Sequence, residues 1–132
     1  MTMPQLFLST KTATLELPLP PTINGGYWAF HGHRRFLTKK ALEFRDTVYL
    51  AVKDCPVRFG PEPLEMTIIL NFRDRRVADL SNRLKALEDA LVHAGLMDDD
   101  SQIKIQHIYA GPIVKGGKCT VKISVLPFKF DV

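Results

Sequence analysis

Acidic side chains at two neighbouring places are the residues of this 132-residue chain best suited to chemistry. Asp79 opens a segment whose leucines recur at steps of three and four, and Asp98, Asp99 and Asp100 follow soon after that segment ends. Carboxylates hold divalent ions such as Mg²⁺ or Mn²⁺, which activate water and neutralise phosphate oxygens in phosphodiester hydrolysis. Lys85 would stabilise charge on the transferred phosphate. The pattern is typical of a metal-dependent nuclease, with Asp79 and Asp100 as main ligands and Asp99 assisting.

A structural explanation of the same aspartates stays open. Asp79 suits the N-cap of a helix, and the run from Asp98 to Asp100 suits a solvated turn before the next strand. Ser81 stands where a second carboxylate would be expected beside Asp79. Because a hydroxyl is a neutral and weak ligand, this serine would weaken a Mg²⁺ site rather than abolish it, and Asp98 would partly compensate for the missing charge.

Basic side chains are clustered in a chain whose net charge is +4, which is compatible with binding to nucleic acid. The residues predicted to contact DNA are Trp28, Arg34, Arg35, Arg75, Arg76, Lys115 and Lys118. Trp28 would stack on splayed bases and the cations would hold phosphates. The alternatives are that the aromatic side chains pack against the body or a second subunit, and that Lys115 and Lys118 flank a solvated turn.

The length and composition predict one domain, spanning residues 1–132, in a soluble cytoplasmic protein. Apolar residues make up 45% of the chain, yet no apolar run approaches the ~18 residues of a membrane span. The N-terminus lacks the features of a signal peptide. Cys55 and Cys119 are far apart and are expected to be reduced thiols. No small-molecule cofactor is indicated.

The hydrophobic pattern predicts a mixed α/β fold in the order strand, helix, strand, helix, strand, strand. Residues 1–12 are expected to form a loosely ordered leader and residues 22–36 a flap or loop. The predicted strands are 14–17, 64–72, 103–110 and 119–125, and the predicted helices are 39–53 and 80–94. The second strand is expected to be central and covered on both faces, and residues 115–118 to form a hairpin turn.

The spacing of the acids has a consequence for assembly. A helix of about 15 residues between Asp79 and Asp100 would be ~22 Å long, so it cannot bring its own two ends to one metal ion. Either the chain folds back after Gly95, or a second subunit supplies the other acid. A two-fold dimer is favoured, because it gives two equivalent sites for symmetric nicks.

Several stretches resemble the RusA family of Holliday-junction resolvases, and the resemblance spans residues 14–125. They are residues 17–24, 45–46, 75–76, 79–85, 89–91, 94–96, 99–103 and 115–117. The most specific are D-L-S-N from residue 79 and G-x-x-x-D-D from residue 95. The resemblance implies a small dimeric endonuclease whose acidic triad falls on Asp79, position 81 and Asp100, with its functional lysine at Lys85. Ser81 departs from the aspartate that is typical of the family.

The sequence therefore predicts a homodimeric endodeoxyribonuclease that binds four-way DNA junctions and cleaves them with Mg²⁺ or Mn²⁺. The first alternative is a junction-binding protein whose catalysis is weakened or lost because of Ser81. The second is a small cytosolic hydrolase that does not act on DNA. Such a protein would show no salt-sensitive DNA affinity, whereas phosphate binding weakens steeply with salt.

Overall fold

The computed structural model describes residues 11–76 and 78–127. They form a four-stranded mixed sheet with two α-helices on one face, and a separate two-stranded hairpin. The elements are β1 (Thr12–Leu17), β2 (Trp28–His31), β3 (Arg34–Leu37), α1 (Lys39–Asp54), β4 (Leu64–Asn71), α2 (Leu84–His93), β5 (Ile103–Ala110) and β6 (Lys118–Val125). The prediction of a small mixed α/β domain is confirmed.

The main sheet has the order β1-β6-β4-β5. β6 is antiparallel to both β1 and β4, whereas β5 is parallel to β4. Alternate residues of the three antiparallel strands point to one face, where Leu15, Val121 and Ile68 lie side by side in register. These side chains are buried against both helices, and a core of this kind removes apolar surface from water.

Two predictions about this sheet are wrong. Both described helices pack on the same face, so β4 alternates between buried and half-buried residues instead of being covered on both faces. The turn near Lys115 does not join paired strands, because β4 lies between β5 and β6. The connection crosses the end of β4, where the amide of Gly111 donates to the Leu70 carbonyl (2.9 Å) and Asn71 Nδ2 donates to the Pro112 carbonyl (2.8 Å).

The segment predicted as a loop or flap contains the hairpin of β2 and β3. Tyr27, at the base of this hairpin, is buried with 1% exposure, whereas Phe30 near its tip is 71% exposed. Residues 1–10 of the predicted leader lie outside the described residues, and Thr12 already belongs to β1. The strand pair could not be predicted from its aromatic and basic composition, because both strands are short and largely exposed.

Helix α1 begins as predicted. Thr38 is its N-cap, with Oγ1 accepting from the amide of Ala41 (3.1 Å), and the buried face includes Phe44 and Val48. Leu42, although apolar, is 49% exposed on this helix. Among the described residues, none of the helices combines the length and the apolarity needed to cross a membrane.

Helix α2 is shorter than predicted. A 3₁₀ turn, Ser81–Arg83, precedes it, and Gly95 ends it with a positive φ of 82°. The amide of Leu96 then donates to the Leu91 carbonyl (3.1 Å), a closure typical of helices that end at glycine. The chain folds back at this point toward the body of α2.

Candidate active site

Asp79 lies on the surface in front of the 3₁₀ turn. Its Oδ1 accepts hydrogen bonds from the amide (3.0 Å) and the hydroxyl (2.8 Å) of Ser81. The prediction that Asp79 caps α2 is wrong, because the helix begins at Leu84 and Asp79 instead closes a local turn. The Ser81 hydroxyl therefore contacts the carboxylate beside which a second acid was expected.

The fold brings Lys85, Asp99 and Asp100 together. They line one open cavity with Arg45, Asp89, Val92 and His93. The chain reversal at Gly95 places Asp99 and Asp100 beside the middle of α2. Asp79 is not among the lining residues of this cavity.

A buried glutamine, Gln102, holds the turn that contains Asp99 and Asp100. Gln102 Oε1 accepts from the amides of Asp98 and Asp99, both at 2.8 Å. Gln102 Nε2 donates to the carbonyls of Gly60 (2.6 Å) and Glu62 (2.9 Å). The acidic turn is thus a fixed structure, although its sequence is compatible with a mobile solvated loop.

Asp99 repeats the arrangement seen at Asp79. Its carboxylate accepts from the hydroxyl and the amide of Ser101, and these hydrogen bonds lower its pKa. The backbone amide and the side chain of Gln102 complete a capping box with Asp99. Asp98 is exposed and does not line the cavity, so its compensation for Ser81 stays a prediction.

Within residues 11–76 and 78–127, no three Asp, Glu, His or Cys side chains are grouped closely enough to hold a metal ion. The carboxylates near the cavity do interact electrostatically. Burial raises the pKa of Glu88, a hydrogen bond from Gln106 opposes this, and the charges of Asp100 and Asp89 raise it further. One chain therefore concentrates negative charge beside α2 without completing a metal site.

Sequence reasoning assigned no role to Asp89, Tyr27 and Arg45, although residues 45–46 and 89–91 are among the stretches that resemble the family. Asp89 Oδ1 accepts from Lys85 Nζ (3.1 Å) and Oδ2 accepts from the Tyr27 hydroxyl (2.6 Å). Arg45 also lines the cavity, and its Nε is buried without a hydrogen-bond partner. The spacing of four residues between Lys85 and Asp89 was the available signal, since such pairs face each other on a helix.

The predicted DNA-contacting residues lie on the hairpin and at one end of the main sheet, where β4 ends and β6 begins. On the hairpin, Arg34 and Arg35 are exposed, and the Arg35 guanidinium stacks 3.9 Å from the centre of the Trp28 ring. Arg75 and Arg76 lie after β4, where Arg76 pairs with Asp74. At the start of β6, Lys118 pairs with Glu16 at 3.0 Å. Lys115 is exposed in the turn before β6.

A basic groove beside the hairpin base was not predicted. Lys40, Arg73 and Arg83 line a cavity of about 350 Å³, and among the described residues none of the three forms an ion pair within 4.0 Å. Arg83 is fixed by a hydrogen bond to the Pro20 carbonyl (2.6 Å). Burial lowers the pKa of Arg83, and the neighbouring charge of Arg73 lowers it further. Glu43 is the acidic residue among those that line this cavity, so its cationic side chains outnumber the carboxylate and favour the binding of an anion.

The chain thus combines a cavity lined by acidic residues and a lysine with a separate basic groove. A sequence model of the family described as "Endodeoxyribonuclease RusA" matches residues 18–125. A crossover junction endodeoxyribonuclease of Enterobacteria phage HK97 is 33% identical over 111 residues, covering 83% of this chain and 92% of the relative. The crossover junction endodeoxyribonucleases of Shigella sonnei and Enterobacteria phage 82 are each 32% identical over 115 residues, covering 86% of this chain and 95% of the relative.

The chain belongs to the RusA family. The resemblance noted from the motifs is therefore confirmed over most of its length.

Proposed function

We propose that the protein is a structure-selective endodeoxyribonuclease that resolves four-way DNA junctions by hydrolysing phosphodiester bonds in the cytoplasm. Family membership supports the reaction class. The observation that carries the site is that Lys85, Asp99 and Asp100 line one cavity, although they are distant in the sequence. In this proposal Lys85 stabilises the charge that develops on the phosphate, and Asp100 and Asp99 form the acidic side of the site.

We propose that cleavage requires Mg²⁺ or Mn²⁺. The metal site would need ligands from more than one chain. The described residues of a single chain gather no three suitable ligands, and Asp79 does not line the cavity that contains Asp100. We propose a homodimer in which Asp79 of one subunit complements Asp100 of the other. Asp79 is exposed and its turn faces solvent, which supports its availability to a second subunit.

Subunit mixing tests this arrangement. Asp79→Asn and Asp100→Asn each preserve shape and remove one carboxylate charge. We expect each homodimer to be inactive, and the mixed dimer to recover about a quarter to a half of wild-type cleavage if each site draws one acid from each subunit, because one of its two sites is then intact. A mixed dimer that stays as inactive as both parents would show that each site uses both acids of the same subunit.

The basic groove is proposed to bind a phosphate of the DNA strand. Lys40 and Arg73 are exposed at its rim and Arg83 lines its wall, so a phosphate in the groove would be held by up to three cations. Each phosphate contact that is lost should reduce the slope of log K against log salt by about 0.9. Arg73→Gln and Lys40→Gln are the test variants. Lys122→Gln is the matched control, because Lys122 is exposed on the sheet face opposite the helices.

The experiment that tests the function is incubation of the purified protein with a mobile four-way junction and a linear duplex of matched sequence, with Mg²⁺ or Mn²⁺. Paired symmetric nicks in the junction alone would support the proposal. Equal treatment of junction and duplex would contradict structure selectivity. The absence of any salt-sensitive DNA binding would instead favour the hydrolase that does not act on DNA.

One observation favours a second candidate, a junction-binding protein with weakened catalysis. The Ser81 hydroxyl already donates to Asp79 Oδ1 at 2.8 Å, so this carboxylate is stabilised locally without a cation. Tight binding of the junction without nicks, in either metal, would support this candidate, and introduction of an acid at position 81 would then be expected to raise cleavage.

A further inference from the structure

Asp89 connects two parts of the molecule through its two carboxylate oxygens. Oδ1 accepts from Lys85 Nζ at 3.1 Å, one helical turn earlier, and Oδ2 accepts from the Tyr27 hydroxyl at 2.6 Å. The Asp89 side chain is 22% exposed and that of Lys85 is 52% exposed. Both residues line the cavity that contains Asp99 and Asp100. Lys85 therefore lies at the cavity and donates to a carboxylate whose other oxygen is held by Tyr27.

Tyr27 is held rigidly at the base of the hairpin. Its side chain is 1% exposed, and its carbonyl accepts from the amide of Thr38 at 3.0 Å. The Thr38 hydroxyl donates to the Gly26 carbonyl at 2.6 Å, so the N-cap of α1 closes the base of the hairpin. The buried Tyr27 ring also packs edge to face against the Trp28 ring, with the centroids 4.8 Å apart, which restricts its movement away from Asp89.

The protonation of Tyr27 agrees with its role as a donor. Burial raises the pKa of Tyr27, and the hydrogen bond with Asp89 raises it further, while Arg45 opposes these effects. The phenol thus stays neutral and donates to Asp89 at neutral pH. A charged carboxylate that accepts from a tyrosine and an ammonium group has both oxygens engaged, which restricts its rotation.

We propose that Asp89 is a positioning residue, which holds the Lys85 ammonium group at the cavity of Asp99 and Asp100, and that Tyr27 fixes Asp89 from the base of the hairpin. This inference rests on the proposed function of Lys85. It differs from an ordinary exposed helix pair because the acid is mostly buried and has a second, buried partner from another part of the chain. Lysine side chains have many rotamers, so a fixed acceptor reduces the conformations that lead away from the site.

The test variant is Asp89→Asn. The asparagine oxygen can still accept from Tyr27, while its NH₂ group faces Lys85, so the lysine loses its acceptor without a change in shape. We expect single-turnover cleavage of junction DNA to fall between about tenfold and 100-fold, which is the effect of a misplaced catalytic group. Junction affinity, measured without a catalytic metal, should change less than about twofold, because Asp89 is not in the basic groove.

A double-mutant cycle separates positioning from a structural role. If Asp89 acts through Lys85, the Asp89→Asn change should have no further effect on the residual rate of a Lys85→Ala variant. An equal loss of rate in both backgrounds would overturn the proposal, as would a fall in thermal stability that accounts for the lost activity. Tyr27→Phe removes one hydroxyl and should reduce the rate less than Asp89→Asn does, again only when Lys85 is present.

A second measurement does not depend on catalysis. Acylation of lysines, followed by mass spectrometry, reports how freely each ammonium group reacts. We expect Lys85 to become at least about twofold more reactive in Asp89→Asn, because a hydrogen-bonded ammonium group is less available. Lys39 is the internal control, since its pair with Glu43 is longer (3.8 Å) and should be unaffected. Unchanged reactivity of Lys85 would overturn the inference, whereas absent cleavage by the wild type would contradict only the proposed function.

Discussion

Replacement of Ser81 by aspartate should make the protein depend on a divalent cation for its stability. The Ser81 hydroxyl lies 2.8 Å from Asp79 Oδ1 and donates to it. An aspartate at position 81 would remove this donor and place a second carboxylate beside the first. The backbone hydrogen bond from residue 81, at 3.0 Å, would be retained, so the turn itself should persist.

The size of the effect follows from two contributions. Two carboxylates about 4 Å apart in water repel by about 1 kcal/mol, and the lost hydroxyl hydrogen bond contributes up to about 1 kcal/mol. A loss of about 1–2 kcal/mol would lower the Tm of a domain of this size by roughly 4–8 °C in EDTA. A bound Mg²⁺ would remove the repulsion, and at ten times its Kd it would add about 1.4 kcal/mol.

The assay is thermal unfolding in EDTA and in Mg²⁺, combined with junction cleavage. We expect Mg²⁺ to raise the Tm of Ser81→Asp by about 5 °C more than that of the wild type, and cleavage to rise strongly at unchanged DNA affinity. Ser81→Asn is the control, because it removes the hydroxyl without adding charge and should show no additional Mg²⁺ effect. Equal Tm values of Ser81→Asp in EDTA and in Mg²⁺ would refute the argument that position 81 limits metal binding.

Three further predictions concern the body of the fold. Because burial raises the pKa of Glu88, its ionisation opposes folding as the pH rises above the unfolded value of 4.5; Glu88→Gln should therefore raise the Tm at pH 7.5 but not at pH 4. Burial raises the pKa of Cys119 to about 12, so a thiol reagent at pH 8 should modify this residue only when the protein unfolds; rapid labelling in the native protein would contradict its burial. A Cβ at Gly111 would lie 2.5 Å from Asn71 Nδ2, so Gly111→Ala should lower the free energy of unfolding by about 1–3 kcal/mol in urea titrations.

The sequence predicted where the strands of the main sheet lie better than it predicted which of them pair. Alternation located β6, whose alternate residues are buried, and β5, an edge strand whose residues are at most half-buried. The leucine spacing located the body of α2. Alternation carries no information about which strands pair, so the position of β4 between β5 and β6 could not be predicted. The hairpin was missed since its strands have little buried surface to produce a pattern.

The candidate site, too, was predicted only in part. Lys85, Asp99 and Asp100 were identified from residue type and family motif, and the fold brings them to one cavity. Asp89 and Tyr27 contribute through a contact between residues that are far apart in the sequence, at 2.6 Å. Contacts of that kind depend on tertiary packing, which local spacing cannot reveal.

The pairing of β1 with β6 affects how the chain reaches its folded state. Thr12 lies opposite Ser124, so the first described strand finds its partner nearly a chain length later. During synthesis this edge of the sheet cannot form until β6 has left the ribosome, and pairing between such distant segments is slow because the loop must close first. Until β6 is available, β1 has no partner in the sheet and β4 is paired on one side only.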